Sequence, residues 1–243
     1  RVGFDPAKLA KIAKRTPEVD EAWFKARSPI PVDAVSTDDY LRAITLPGEK
    51  VLCFNNYKSQ GQFVFEHTDE PAADGGTLAT WRDGLDDGAW FLSNPVSGRS
   101  VAVARLKGPH NPDGKSRRCE ECVTSFRYAV LESDLAEPRA WLAALAQIPL
   151  PIVSVTTSGG KSIHALVLIN ATSKGQWDKI VRTRLGPTLV TLGADAAALT
   201  AVRLTRLPGV HRGTRLQELL YLNPEPTGQS IHNLNSPQSH EIA

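Results

Sequence analysis

The strand-like run Arg127–Asp134 ends in two carboxylates, and this feature constrains the fold more than any other in the sequence. Successive side chains of a strand alternate between its two faces, so Glu132 and Asp134 point to the same side. Two negative charges held in one small volume repel each other unless a cation lies between them. The run therefore predicts a strand that ends in a divalent-metal site. The alternative is a strand that runs out into a Ser-Asp helix cap before Pro138.

The composition indicates an ordinary globular chain. Its 243 residues, 41% of them hydrophobic, are enough for one large domain or two small ones. The net charge of +2 excludes a protein-wide basic field, but basic residues cluster near the carboxylates and along the later segment. Such clusters indicate either a local phosphate-binding surface or a solvated basic face. The absence of methionine leads us to expect a piece of a longer protein.

The expected compartment is the cytoplasm. Three cysteines, an odd number, argue against a secreted disulfide framework. No apolar run approaches the ~20 residues that a membrane-spanning helix needs, so we expect no membrane partner.

The order of elements predicts an α+β fold. The first half favours helices, among them Thr37–Ile44, and then short strands. The elements predicted for the second half are a strand at Phe126–Glu132, a helix at Pro138–Gln147, strands at Pro151–Thr156 and Ser162–Ile169, a helix after Ser173, and strands at Arg203–Leu207 and Leu216–Leu222. Apart from the short Arg203–Leu207 strand, this order is that of a split βαβ, ferredoxin-like sheet. We expect an N-terminal helical and α/β lobe over residues 1–108 and a second lobe over residues 109–243, both within one domain.

The segment Thr157-Ser-Gly-Gly-Lys-Ser-Ile-His164 indicates an anion pocket near the carboxylates. Its two glycines let the backbone approach a ligand closely, and their amides can cradle an anion. Lys161 and His164 would supply positive charge, and Ser162 shares one face of the next strand with His164. The segment is not a Walker loop, because the GxxxxGK[ST] spacing is absent. The alternatives are an ordinary hairpin turn and a satisfied, half-buried histidine.

Two later segments carry further charged residues. Gly193-Ala-Asp195 places a carboxylate after a helix, where the alternative is an ordinary helix cap. Arg203-Leu-Thr-Arg-Leu-Pro-Gly-Val-His-Arg212 distributes basic residues through a strand and a turn, where the alternative is a solvated edge strand.

In their order along the chain, these motifs resemble the archaeo-eukaryotic primase superfamily, which includes primase-polymerases and the replication primases of plasmids and phages. The matching strings are Leu-Glu-Ser-Asp (131–134), Ser-Gly-Gly-Lys-Ser-Ile-His (158–164), Asp195 and Arg-Leu-Pro-Gly-Val-His (206–211). The match covers the stretch from Ser116 to Pro224. It departs from the family in two respects: the first pair is Glu-x-Asp where the commoner form has Asp first, and Asp195 is assigned by its spacing across a variable segment.

The resemblance implies an RNA-recognition-motif-like sheet and a template-directed DNA primase and DNA polymerase that uses NTP or dNTP. The implied ligands of two Mg²⁺ or Mn²⁺ ions are Glu132, Asp134 and Asp195, and these carboxylates together with His164 would be catalytic. The implied nucleotide-binding residues are Ser158, Gly159, Gly160, Lys161, Ser162, His164, Arg206 and Arg212.

The partners implied by the resemblance are a single-stranded DNA template with its primer, and a helicase or C-terminal priming domain. Any such helicase or priming domain would lie beyond Ala243. Two other functions stay open. One is a catalytically inactive replication-initiation or single-stranded nucleic-acid-binding module that retains the fold, and the other is a nucleotide-binding regulatory domain.

Cys119-Glu-Glu-Cys122, with His110 upstream, has the spacing of half a zinc site. A structural zinc site needs four ligands, and the remaining cysteine, Cys53, is far away in the sequence. We therefore do not expect zinc. The alternative is an exposed charged loop, Lys115–Arg118, that leads into the carboxylate strand.

Overall fold

The computed structural model describes residues 3–56, 63–68, 78, 81, 85 and 87–234, which form a mixed α+β structure with antiparallel sheets. The helices are α1 (Pro6–Ala13), α2 (Glu21–Arg27), α3 (Thr37–Ile44), α4 (Pro138–Gln147), α5 (Lys174–Asp178) and α6 (Gly186–Thr191), with a π-helical stretch at Lys179–Leu185. The strands are β1 (Lys50–Phe54), β2 (Phe63–Glu66), β3 (Trp90–Leu92), β4 (Val101–Ala102), β5 (Lys115–Ser116), β6 (Phe126–Glu132), β7 (Ile152–Thr157), β8 (Ile163–Ala171), β9 (Leu204–Arg206), β10 (His211–Arg212), β11 (Arg215–Leu216) and β12 (Leu219–Leu222). None of the described helices has the length and apolar character required to cross a bilayer.

The second half of the chain forms a sheet with the strand order β12-β7-β8-β6 among the described residues. Strand β8 lies between β6 and β7, which helix α4 connects, so the split βαβ unit predicted from the sequence is present. The last strand, β12, pairs with β7. In a ferredoxin-like sheet the last strand pairs with the first strand, and the structure differs from the expected order at this point.

The outer edge of β6 explains this difference, because other segments already occupy it. Asn94 is fully buried, accepts a hydrogen bond from the Tyr128 N–H at 2.7 Å and donates one to the Tyr128 carbonyl at 3.0 Å. At the end of the strand, the Asp195 N–H donates to the Glu132 carbonyl at 2.8 Å. These bonds satisfy the backbone of β6 where a further strand would pair.

The first half of the chain forms a sheet with the order β2-β1-β3-β9. Its strand β9 comes from the later segment, and Trp90 of β3 pairs with Arg206 of β9. Conversely, helix α1 from the first half of the chain packs on helix α4 of the second half. The division into two lobes at residue 108, both within one domain, stays a prediction.

Alternation along β6 decides which side chains reach the space between the sheets. Ala129 and Leu131 pack into the core under helix α4. Tyr128 and Val130 pack into the second core, which also contains residues of the first sheet. Glu132 continues this second series, so its carboxylate points toward the space between the two sheets.

Local signals account for the elements around the site. Pro138 begins α4, and the Glu137 side chain caps that helix by accepting a hydrogen bond from the Ala140 N–H. The cap is therefore Glu137, and Asp134 remains outside the helix. Strand β4 covers only Val101–Ala102, and a 3-10 helix follows at Ala104–Leu106.

The buried Asn94 amide provides a stability prediction. Replacing Asn94 by Ala leaves the buried N–H of Tyr128 without its partner, so we expect the free energy of unfolding to fall by about 1–3 kcal/mol. Urea unfolding followed by circular dichroism measures this difference.

The matched control is Asn233→Ala at an exposed asparagine, for which a change within about 0.5 kcal/mol is expected. Equal stability of the two variants would contradict the role of Asn94 at the β6 edge.

Candidate metal centre and adjoining cleft

Three carboxylates meet at the end of β6. Glu132, Asp134 and Asp195 each offer an oxygen atom, and these atoms all lie within 4.8 Å of one another. Glu132 is the last residue of β6, and Asp134 follows it on the same side. The tertiary structure therefore brings together the three carboxylates expected from the sequence.

Two features of the chain place Asp195 beside the strand. The backbone bond from its N–H to the Glu132 carbonyl aligns the segment, and the preceding Gly193 has a φ of 109°. A Cβ at Gly193 would lie 3.1 Å from the Phe4 ring, so the turn needs glycine for space as well as for conformation. Asp195 Oδ1 also accepts a hydrogen bond from the Ala197 N–H at 2.9 Å. Asp195 therefore caps a 3-10 helix and also belongs to the group of three carboxylates.

Glu132 is the buried member of the group, with an exposed fraction of 4%. Burial raises the pKa of its carboxyl, and the charges of Asp134 and Asp195 raise it further, whereas the hydrogen bond from Arg203 lowers it. A buried carboxylate beside two others needs compensating positive charge. All the donor atoms are oxygens, which suits Mg²⁺ or Mn²⁺ and does not suit metals that prefer thiolate.

His164 lies directly across the sheet from Glu132. The two residues are register partners on β8 and β6, and His164 Nδ1 lies 3.2 Å from Glu132 Oε2. Burial lowers the pKa of His164 to about 3, and the charges of Arg206 and Arg203 contribute in the same direction. The imidazole is therefore neutral at physiological pH, and the expectation that it supplies positive charge is wrong. A neutral imidazole donates one hydrogen bond and accepts another, and the carboxylate favours the proton on Nδ1.

Ser162 also contacts the carboxylates. Its Oγ donates a hydrogen bond to Asp134 Oδ1 at 3.0 Å. In the structure this side chain holds Asp134, and its role in nucleotide binding stays a prediction.

The glycine turn closes on itself and packs under a neighbouring arginine. The Ser158 N–H donates to the Ser162 carbonyl at 2.9 Å, and the Ser162 N–H donates to Ser158 Oγ at 3.1 Å. Gly159 has a φ of 62°, and a Cβ on it would lie 3.1 Å from Arg212 Cβ. A Cβ on Gly160 would lie 3.0 Å from Arg212 Nη1. Glycine is therefore needed at position 159, whereas a Cβ at position 160 would meet the flexible end of the Arg212 side chain.

A cleft of about 1030 Å³ opens over the carboxylates, and all the site residues expected from the sequence except Asp195 line it. Its cationic lining residues are Arg118, Lys161, Arg203, Arg206 and Arg212. The cleft thus joins a group of carboxylates, which suits a cation, to a basic wall, which suits an anion.

Sequence reasoning missed Trp90 and the role of Arg203. The Arg206 guanidinium lies over the Trp90 ring, 4.2 Å from its centroid. Burial and the Arg212 charge lower the pKa of Arg206 to about 10, at which it stays charged at neutral pH. No motif predicts Trp90, because it belongs to the first sheet and meets Arg206 only through the pairing of β3 with β9. In the sequence, Arg203 is only one of several basic residues in the segment Arg203–Arg212.

Cys119 and Cys122 lie apart from the carboxylates, with their sulfur atoms 3.0 Å from each other and both side chains buried. Burial raises the pKa of Cys119 to about 12. Within the described ranges, the groups with metal-binding geometry include neither cysteine, nor His110. The nearby Arg118 lines the cleft, so part of the loop Lys115–Arg118 borders the site.

No family model and no curated protein matches the chain. Among solved structures, the chain is similar to the AEP domain of the primase-polymerase from cyanophage S-2L, with a TM-score of 0.47 and 15% sequence identity. The alignment covers 77% of this chain and 89% of that chain.

The carboxylate group predicts a divalent-cation site. We expect the protein to bind Mn²⁺, and Asp134→Asn to weaken this binding by at least about tenfold, because it removes a charged ligand. Electron paramagnetic resonance of free Mn²⁺ measures the affinity.

The control for this experiment is Asp113→Asn, which removes an exposed carboxylate paired only at the surface with Lys115. If the two variants bind Mn²⁺ equally well, the carboxylate group is not the binding site.

Proposed function

We propose that this chain is a template-directed nucleotidyltransferase of the archaeo-eukaryotic primase type. In this proposal it makes or extends primers on a single-stranded DNA template, with NTP or dNTP as substrate. One observation carries the proposal: Glu132 and Asp134, two members of the group of three carboxylates, line the same cleft as a basic wall and a glycine turn. A complex of a divalent cation with a nucleoside triphosphate is a ligand that needs both. The order of the motifs along the chain supports the same assignment.

Glu132, Asp134 and Asp195 would hold two Mg²⁺ or Mn²⁺ ions. Ions bound in this way activate the attacking 3′-hydroxyl and hold the triphosphate for in-line displacement. The protein positions the ligands beforehand, because Ser162 donates to Asp134 and His164 lies against Glu132. In this arrangement His164 acts as a neutral positioning residue for Glu132.

The basic wall would bind the triphosphate. Lys161, Arg206 and Arg212 neutralise its charge and the charge that develops as pyrophosphate leaves. Within the described part of the chain, nothing hydrogen-bonds the buried Nη1 of Arg206, and a phosphate oxygen is suited to accept from it. The Ser158–Gly160 turn lets the phosphates lie close to the backbone.

The β10–β11 hairpin is the proposed contact for the DNA strand. Residues 211–216 are all exposed, and they include His211, Arg212 and Arg215 but no acidic residue. The hairpin is anchored at its base by Gln217, which is fully buried and exchanges hydrogen bonds with both backbone groups of Ala89. A basic hairpin with an anchored base, beside the cleft, is suited to phosphate contacts that position a strand without reading its sequence.

A second candidate function is a nucleic-acid-binding module of this fold without catalysis. The observation that favours it is the pairing of Arg203 with Glu132, which places a guanidinium among the carboxylates. If that pairing were permanent, it would compete with metal ions for the ligands.

Primer extension tests the leading proposal. We expect the protein to extend a primed single-stranded template with Mg²⁺ or Mn²⁺ and NTP or dNTP. Asp134→Ala should reduce incorporation to the level of the blank, because a ligand of the catalytic ions is lost, while Asp113→Ala should extend like the parent. DNA binding without incorporation under any of these conditions would favour the second candidate.

The hairpin provides a separate prediction for DNA binding. Arg215→Gln should weaken single-stranded DNA binding and reduce the slope of log K against log salt by about 0.7, the value for one phosphate contact. Fluorescence anisotropy at several salt concentrations measures both quantities.

The control is Arg184→Gln at an exposed arginine of the Lys179–Leu185 stretch, for which an unchanged slope is expected. If Arg215→Gln leaves the slope as it is in the parent, the hairpin does not contact DNA phosphates.

A further inference from the structure

The guanidinium of Arg203 lies among the three carboxylates. Its Nη2 donates to Glu132 Oε1 and lies 3.8 Å from Asp195 Oδ2. The backbone on both sides is anchored, because the Arg203 N–H donates to the Thr200 carbonyl at 3.2 Å and the Arg203 carbonyl accepts from the Ser93 N–H at 3.2 Å. Any movement of the guanidinium therefore requires only side-chain rotation.

Arg203 compensates the carboxylates at the position where divalent cations would bind. Glu132 is almost fully buried, and two further carboxylates lie within 4.8 Å of it. An arginine paired with Glu132 and close to Asp195 provides part of the missing positive charge. A guanidinium and a divalent cation cannot both remain bound to the same oxygens, since like charges at this distance repel strongly.

A second binding place for this side chain is available in the same cleft. Arg203 lines the cleft beside Lys161 and Arg206, and its side chain is 29% exposed. Its Nε is buried and has no hydrogen-bond partner among the described residues. The planar fork of a guanidinium fits phosphate oxygens as well as it fits a carboxylate.

We propose that Arg203 is an exchanging positioning residue, which holds the carboxylates while they are free of metal and turns to the triphosphate when divalent cations bind. This proposal rests on the proposed function of the cleft. It makes metal and nucleotide binding cooperative, because a cation that releases Arg203 adds a phosphate-binding group to the basic wall. It also explains why a guanidinium among the carboxylates is compatible with catalysis.

Arg203→Gln tests the exchange through two affinities that should change in opposite directions. Without nucleotide, Mn²⁺ should bind roughly tenfold more tightly to the variant, because its competitor is gone. With saturating Mn²⁺, a non-hydrolysable nucleoside triphosphate analogue should bind more weakly, because a phosphate ligand is gone. Paramagnetic resonance and isothermal titration calorimetry measure the two affinities. A purely structural role for Arg203 would not strengthen metal binding.

The matched control is Arg212→Gln, which removes the same charge from the same cleft at a residue that packs against the glycine turn. This variant should bind the nucleotide analogue more weakly than the parent does, but its Mn²⁺ affinity should change much less than that of Arg203→Gln. An equal gain in Mn²⁺ affinity for both variants would mean a general effect of charge, and would overturn the exchange.

Circular dichroism shows whether Arg203→Gln folds, and Arg203→Lys replaces it in the test if it does not. Lysine keeps the charge but lacks the planar fork, so its Mn²⁺ affinity should lie above that of the parent. If the parent binds Mn²⁺ and neither variant binds it more tightly, the exchange is wrong while the proposed function stands. If neither the parent nor any folded variant binds Mn²⁺, both the exchange and the metal-dependent function are wrong.

Discussion

The antiparallel register of β6 and β8 is the constraint on which the site depends. It sets Glu132 opposite His164 and, by alternation, sends Tyr128 and Val130 into the core between the sheets. A slip of one residue would exchange the two faces and place a carboxylate in the apolar core under α4. The apolar residues that stabilise the strand therefore also determine where its terminal charge points.

Charge balance is the second constraint, and it links the site to the rest of the fold. Glu132, Asp134 and Asp195 come from two segments that a backbone hydrogen bond joins, and Arg203 immediately precedes β9, the strand that completes the other sheet. The carboxylates are close enough to require a cation, and the cleft above them is basic enough to hold an anion. In our proposal, Arg203 exchanges its contacts as charged ligands enter the site.

Much of the local structure follows from the sequence, while several contacts do not. The strand over Phe126–Glu132 and the helix over Pro138–Gln147 have the predicted bounds, because apolar alternation and a proline at the first helical turn are local signals. The position of β12 differed from expectation, because Asn94 from another segment occupies the edge of β6. The charge of His164 also differed, because burial in the assembled fold keeps the imidazole neutral.

The sequence by itself determined which side chains share a face and where the backbone turns tightly. The shared face of Glu132 and Asp134 follows from the two-residue period of a strand, and the tightness of the Ser158–Gly160 turn follows from its glycines. Only the tertiary structure decided that Asp195 joins the first two carboxylates and that Arg203 pairs with Glu132. These contacts join residues more than sixty positions apart, and their formation depends on how complete sheets pack, which no local pattern of residues specifies.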